Sequence, residues 1–466
     1  MAEFSPSGVQ ITKAIITTHD RTVLKDISIN FIYSFSINQS MNDVAWQGEL
    51  SVLDGANLLE GFPLRGEERL ELWIKSFDLG TEVKIKARIY RIGSIQPSSD
   101  SKKVIYKMHF CSEASFNASV RKITLPFRAP ISTIAKTIFQ LYFAPTGQSD
   151  YLDPKDNTRT LPMASVRIPL LEGDEPTGRN FVVQPTQGIA RVIIPDLSPT
   201  DAMHFLCARG YNADSPSQTF RFFETLENYY FCTDEFFLKG IRSVPTLYYA
   251  PEAPLTPENA ESQIGRIEEL TVLSKGIDVG VDVNSGSYRN EVVEVDLVRR
   301  EFNISQFSFD DARYVDMNGT PRDIADNPHT EQFRKDIFTK ENARRFMVFK
   351  NYQKPGDLPS NLHQEKHYAD IVHNRVSYFH HLNNTSLGVT LKGRLDLRPG
   401  QVINLDMKTL NDNGVAVNDS LGGKYLIQTT SHHMKDDVLS TGLKLVKFDW
   451  SSGNTPVTTE EIPEDT

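Results

Sequence analysis

Ile27-Ser28-Ile29-Asn30-Phe31-Ile32-Tyr33-Ser34-Phe35-Ser36-Ile37-Asn38 alternates apolar with polar residues, Ile32 being the one exception. Side chains on a strand point to opposite faces in turn, so the run predicts a long strand with one buried face. The sequence downstream repeats the signal. Gly48–Leu53 offers Leu50 and Val52, Arg69–Lys75 offers Leu70, Leu72 and Ile74, and Val83, Ile85, Ala87 and Ile89 alternate with Lys84, Lys86 and Arg88. Val104, Tyr106, Met108 and Phe110 line a further strand, reached through a turn at Pro97-Ser98-Ser99-Asp100-Ser101. Consecutive strands joined by short turns imply an antiparallel sandwich or barrel. The 27 Phe and 16 Tyr of the chain favour strands as well. The expected fold class is mainly β with some α.

Three helices are expected. Pro130–Tyr142 places Ile131, Ile134, Ala135, Ile138 and Tyr142 on one face. Ser198 caps the second, with Pro199 at its first position, Asp201 completing an approximate capping box, and Gly210 as a left-handed terminator. The third, Gln364–Leu382, sets Tyr368, Ile371, Val372, Arg375, Phe379 and Leu382 along a stripe. Strands are expected at Thr219–Glu224, Tyr229–Thr233, Leu387–Leu391, Gln401–Lys408, Lys424–His432 and Thr441–Asp449. Residues 145–190 read as an irregular excursion and 250–262 as a linker.

The two ends share an order of parts. Gly66–Lys75, a strand ending near Ile92, a polar turn and Lys103–Phe110 match Gly400–Lys408, Gly423–His432, the turn Lys435-Asp436-Asp437 and Thr441–Phe448. Few residues are identical, but a duplicated β unit would leave this pattern, and the two series are expected to share strand order.

At 466 residues the chain calls for two to four domains. Its formal charge is 50 − 60 = −10, the wrong sign for tight, sequence-specific nucleic-acid binding. Cys111, Cys207 and Cys232 are too scattered for a disulfide framework and suit a reducing compartment. The start, Met1–Pro6, does not read as a signal peptide, and no run approaches the roughly 18 apolar residues of a membrane span. The expectation is a cytoplasmically made, soluble chain without membrane insertion, ending in an acidic flexible tail at 450–466.

No catalytic, cofactor or metal site is expected. His432 and His433 adjoin on a strand and point to opposite faces, and His380 and His381 diverge by about 100° on a helix. His363 and His367 have metal-compatible i, i+4 spacing, but Glu365 is misplaced for a zinc protease and a third ligand is not evident. Asp278, Asp282 and Asn284 near Gly286 lack the glycine position and closing Glu of an EF-hand. There is no phosphate-binding glycine loop with its lysine and no Gly-x-Ser-x-Gly elbow, and the carboxylate pairs Glu67/Glu68 and Glu268/Glu269 read as solvated faces.

Three stretches in order carry a resemblance: Gly48–Asp54 with Asn57-Leu58-Leu59 and Phe62–Leu70; the capped helix from Ser198 leading to Phe220–Thr225 and Tyr229–Phe231; and Gly393–Lys447, with Leu397-Arg398-Pro399-Gly400 and Gly423–Ile427. Together they resemble the central baseplate hub proteins of contractile-tailed bacteriophages, which are related in fold to the spike base of type VI secretion systems. The resemblance spans about 20–140, 195–245 and 370–449, with Asn228 departing from an expected left-handed turn glycine. It implies a homotrimer in which each chain supplies two tail-tube-like antiparallel β-barrels, forming a pseudo-sixfold ring between tail tube and central spike that lets DNA pass. Residues 1–122 would be the first barrel, 123–200 a connecting region, 201–245 and 371–449 the two parts of the second barrel, and 246–370 an outer α+β domain. Implied partners are the spike, tube or tube-initiator proteins and surrounding baseplate proteins, in a virion tail assembled in the bacterial cytoplasm. The acidity fits a channel that must not hold phosphates. A tail-borne cell-wall hydrolase or the spike base of a secretion-type particle are the alternatives.

Overall fold

The computed structural model describes residues 9–18, 24–27, 31–55, 58–62, 64–76, 82–97, 103–143, 151–152, 160–161, 180–239, 244–249, 265–275, 279–297, 300–309, 313–323, 344–350, 368–411, 414–417, 421–435 and 438–447. The linker at 250–262, His363, His367, Asp278, the tail and most of the 145–190 excursion lie outside them.

The first strands are β1 (Val9–Thr17), β2 (Leu24–Asp26), β3 (Ile32–Ser40), β4 (Gln47–Asp54), β5 (Arg69–Ser76), β6 (Glu82–Pro97) and β7 (Val104–Ser112), with the short helix α1 (Leu58–Gly61) between β4 and β5. They pair antiparallel in the order β3-β4-β7-β6-β5-β1-β2. β1 and β3 through β7 all send alternate residues into one cluster, Ile11, Phe35, Leu50, Leu72, Ile85 and Met108 among them, so the sheet curls round its core. Burying each such side chain is worth about 1.5–3 kcal/mol. Over the described residues 31–38 the alternation of the opening stretch holds except at Tyr33, which is exposed. A bulge between Ile32 and Ser34 shifts its phase and turns the ring outward under Lys435 Nζ, 5.1 Å being the comparable Lys13–Trp73 approach and 5.4 Å this one.

Next come α2 (Glu113–Ser119), β8 (Pro126–Ala129), α3 (Ile131–Tyr142), β9 (Tyr151–Leu152), β10 (Thr160–Leu161), β11 (Asn180–Val183), β12 (Ala190–Ile193), α4 (Pro199–Cys207), β13 (Phe220–Glu224), β14 (Asn228–Thr233) and α5 (Asp234–Lys239). The apolar face read for α3 is buried, and Ser198 caps α4 by accepting from the Asp201 N–H at 3.1 Å. Gly210 is not left-handed; a Cβ there would meet the Phe220 ring, so close packing explains the glycine. Asn228 is not left-handed either. It opens β14, and its N–H donates to Thr225 Oγ1 at 3.1 Å.

The remaining elements are β15 (Thr246–Tyr249), β16 (Ile267–Ser274), α6 (Val279–Ser285), β17 (Arg289–Asp296), β18 (Glu301–Ser308), β19 (Arg313–Val315), β20 (Pro321–Asp323), β21 (Arg344–Lys350), α7 (Tyr368–Leu382), β22 (Thr385–Lys392), β23 (Val402–Asn411), β24 (Gly414–Val417), β25 (Gly423–Lys435) and β26 (Val438–Lys447). Six of them are ordered β16-β22-β26-β25-β23-β15. Strand for strand this is the first sheet's order β3-β4-β7-β6-β5-β1, so the shared topology expected from the sequence is present. The register agrees too. A bulge between Ile89 and Arg91 of β6 has its counterpart between Ile427 and Thr429 of β25, and the bulge at Tyr33 has its counterpart between Ile267 and Glu269. The Ile89 N–H reaches the Glu68 carbonyl at 2.9 Å as the Ile427 N–H reaches that of Gln401 at 2.9 Å. One difference is that β15 runs parallel to β23, whereas β1 is antiparallel to β5. A bridge between Tyr248 and Arg266 brings β15 back to β16, so the second set of strands returns on itself around Leu247, Leu387, Leu405, Tyr425 and Leu445.

Among the described residues of 201–245 none forms a strand of this second sheet, whereas this stretch was expected to supply part of it. β13 and β14 pair with β11 instead, because their aromatic residues are claimed by the helices on one side and by Met41, Val402 and Val446 on the other. The two missing strands come from 246–274. The stripe expected on the third helix is also displaced: α7 buries His373, Ser377, Tyr378 and His381 along with Ile371 and Leu382, leaving Phe379 exposed.

Candidate assembly interface

The two sets of strands meet where β25 joins β3, in one continuous sheet. β25 runs antiparallel to β3 from Thr429↔Ser40 to Lys435↔Ser34. Ser431 Oγ donates to Asn38 Oδ1 at 2.6 Å, and the Met41 N–H reaches the Gln428 carbonyl at 2.9 Å. Leu395, Met434 and Leu439 of the second unit belong to the core of the first. A shared ladder plus a shared core makes the joint rigid.

Behind the joint lies a buried polar network that sequence reasoning missed. Asp234 and Glu235, adjacent at the start of α5, are both fully buried. Arg221 grips Asp234 through Nε at 2.6 Å and Nη2 at 3.0 Å and also donates to Asn42 Oδ1. Glu235 accepts from the Ser217 N–H at 2.7 Å and from Ser217 Oγ at 2.5 Å, and burial raises its pKa against those hydrogen bonds. Gln218, left-handed at φ 55, is tied by its amide to the Asn212 and Ser215 carbonyls at 2.7 and 2.6 Å. Arg375 of α7 donates to the Cys207, Ala208 and Gln218 carbonyls at 3.0, 2.7 and 3.0 Å, filling acceptors left open at the end of α4. Glu224 takes the Ser112 and Ser115 hydroxyls at 2.5 and 2.6 Å, tying the first sheet to β13. The residues quoted for the resemblance at 220–225 therefore hold elements together. The carboxylates are saturated by protein donors and shut off from solvent, an arrangement that positions backbone and offers no route to an outside proton acceptor.

His432 is buried beside Thr441 Oγ1 (3.2 Å) and His433 points outward, as strand geometry requires. His380 Nδ1 lies 3.1 Å from Asp282 Oδ1, while His381 packs 4.1 Å from the Phe309 ring. Among the described residues no three His, Cys, Asp or Glu side chains form a metal-sized group, and no helix is long and apolar enough to cross a membrane. Burial pushes His381 down to about 3, with His380 adding to the effect, and pushes His432 down to about 4, with Arg398 adding and Asp396 opposing. Both folded values lie below the ordinary 6.5, so the stabilisation is complete above that pH and is lost as pH falls toward the folded values. Glu235, shifted upward, works in the opposite sense. Denaturation midpoints followed from neutral pH downward are expected to fall, and His432→Gln should flatten the dependence by on the order of 3 kcal/mol. An unchanged slope in that variant would show that the imidazole is not the group responsible.

Two surfaces are unusual. On the three-stranded sheet β18-β17-β21, Phe302, Ile304, Met347 and Phe349 flank Val293 and Val295 on one face and are 76, 59, 61 and 56% exposed. Phe302 and Ile304 alternate with polar residues along β18, but the apolar face they form looks outward. One edge of the far half of β6, the side away from β7, and the outer edge of β16 also lack a neighbouring strand among the described residues.

No family model matches the chain, and no curated protein matches it. Solved structures do. A tail protein from Neisseria meningitidis MC58 is 10% identical over 96% of this chain and 98% of its own, with a TM-score of 0.48. The 43 kDa tail protein of prophage MuSo2 from Shewanella oneidensis is 8% identical over 94% and 98%, at 0.49. An E. coli component of the type VI secretion system, described as structurally similar to T4 bacteriophage tail proteins, is 10% identical over 96% and 79%, at 0.40. In structure, then, this mainly β chain is similar to phage tail proteins and to a type VI secretion component.

Proposed function

We propose that the chain is a structural hub subunit of a contractile-tail baseplate, three copies forming a pseudo-sixfold ring that joins the tail tube to the central spike and leaves a passage for DNA. The observation that carries this is the duplication: two units of one strand order with two bulges at matching positions, joined side by side by β25 and β3. One chain thus presents two segments of a ring, and three chains present six. The sequence resemblance supports the same role, as does the net charge of −10 on a protein through which phosphates must slide. The spike and a tube or tube-initiator protein would sit on the ring's two ends. Surrounding baseplate proteins have an exposed apolar face available on β17, β18 and β21. The site of action is the virion tail, assembled in the bacterial cytoplasm, and the role is architectural, without hydrolase activity or a metal.

Native mass spectrometry of the purified chain, alone and with its spike, is expected to give a trimer. A monomer under both conditions overturns the ring. Clearing of peptidoglycan by the chain alone would instead favour a tail-borne hydrolase.

A further inference from the structure

The internal joint and its duplicate are not equally satisfied. β25 uses one edge for β26 and divides the other: Gly423–Leu426 pairs with β23, and Thr429–Lys435 pairs with β3. Its counterpart β6 pairs with β7 on one edge and with β5 over Glu82–Arg88 on the other, but past the bulge at Tyr90 that second edge carries no described strand. β3 lies between β4 and β25, whereas its counterpart β16 pairs with β22 and, past the bridge at Arg266, has no described strand on its outer edge. Side chains follow suit. Ile37 of β3 is 1% exposed under the joint, while Val272, at the same ladder position of β16, is 43% exposed. Leu273 beside it is 54% exposed, as is Ile95 on β6. Open, apolar strand edges of this kind are templates for pairing.

We infer that Arg91–Pro97 of β6 pairs antiparallel with Glu269–Ser274 of β16 in a second copy of this chain, repeating between copies the β25–β3 joint found within one. The occupant is a second copy because the chain already docks the equivalent strand on the equivalent edge. A second observation agrees. β6 carries one extra residue between Gly93 and Gln96, with Ser94 left-handed at φ 53, and β16 carries one extra residue, Leu273, between Val272 and Ser274. When the Ser431–Asn38 and His433–Ser36 pairs are carried across, Gly93 falls opposite Ser274 and Gln96 opposite Thr271, so the two extra residues face each other and the ladder stays in step. Each copy offers one edge and accepts another, a head-to-tail contact that generates a ring when its rotation closes. The inference rests on the proposed ring only for the number of copies.

The test uses two full-length single variants, Gln96→Cys and Thr271→Cys, co-expressed with different tags and treated with a short bis-maleimide; the native cysteines are buried and should not compete. A cross-linked dimer carrying both tags is expected, with none from either variant alone. A trimer by native mass spectrometry without that cross-link overturns the pairing and leaves the ring standing. Cross-linking of Gln96→Cys to itself overturns the head-to-tail arrangement. A chain that stays monomeric takes down both. Ile95→Asp is expected to weaken association at least about tenfold with an unchanged circular-dichroism spectrum; undiminished association in that variant counts against the edge.

Discussion

Gly48→Leu is expected to cost about 3 kcal/mol or more, and Phe110→Leu in the same chain to recover about half of it. A Cβ on Gly48 would fall inside the contact distance of both the Phe110 ring and the Ser36 carbonyl. The ring has little room to yield, since it stacks on Phe35 at 6.1 Å and meets Trp46 edge-on at 6.2 Å, all three being fully buried. The second unit shows how the same position is filled otherwise. Leu387 stands at the ladder position of Gly48 and opposes Leu445 as Gly48 opposes Phe110, and both leucines are 0% exposed. One unit solves the pair as glycine with phenylalanine, the other as two leucines. Paired denaturation midpoints for the two single variants and the double variant give the coupling directly. A double variant no more stable than Gly48→Leu would mean that the two cores share strand order without sharing packing.

Gly48 also marks where sequence reading stopped. Alternation located β3 through β7 and β22, β23, β25 and β26, because one buried face per strand leaves a period of two whatever the partners are. The order of these strands was foreseeable from the repeat, since both series run strand, strand, turn, strand. Bulges were not foreseeable: a single extra residue changes the facing of Tyr33 without changing composition. Helix α7 failed for a related reason. Its apolar residues were assumed to face inward, yet Phe379 lies outside, 5.5 Å from the Arg221 guanidinium, while His373 turns in to reach Asn290 Oδ1 and Ser305 Oγ. Buried polar partners distant in sequence decide that choice, and no local pattern records them. The interface was beyond reach likewise, because an edge is defined by the strand that fails to lie beside it.

The buried carboxylate of Glu235 provides the second large effect. Glu235→Ala is expected to lose about 2–4 kcal/mol, because the Ser217 N–H would be left without its acceptor and the carboxylate's place would be empty in a site that excludes water. Glu235→Gln should differ little from the parent at pH values below the ordinary carboxylate range, where Glu235 is protonated as well. The amide oxygen can take the Ser217 N–H, its NH₂ can donate to Ser217 Oγ, and that hydroxyl can turn to Thr219 Oγ1, 2.9 Å away. The sign of the pH dependence separates charge from hydrogen bonding. Burial raises the Glu235 pKa, so its contribution is fully present below the ordinary carboxylate value and is lost as pH rises through the folded one. The glutamine variant has no charge to bury and should gain on the parent as pH rises above the ordinary carboxylate range. If Glu235→Gln instead falls as far as Glu235→Ala, or the gap between variant and parent does not change with pH, then the Ser217 donors hold the ionised carboxylate at no net cost. Ionised Glu235 would in that event be a stabilising part of the support behind the joint rather than a charge the fold tolerates.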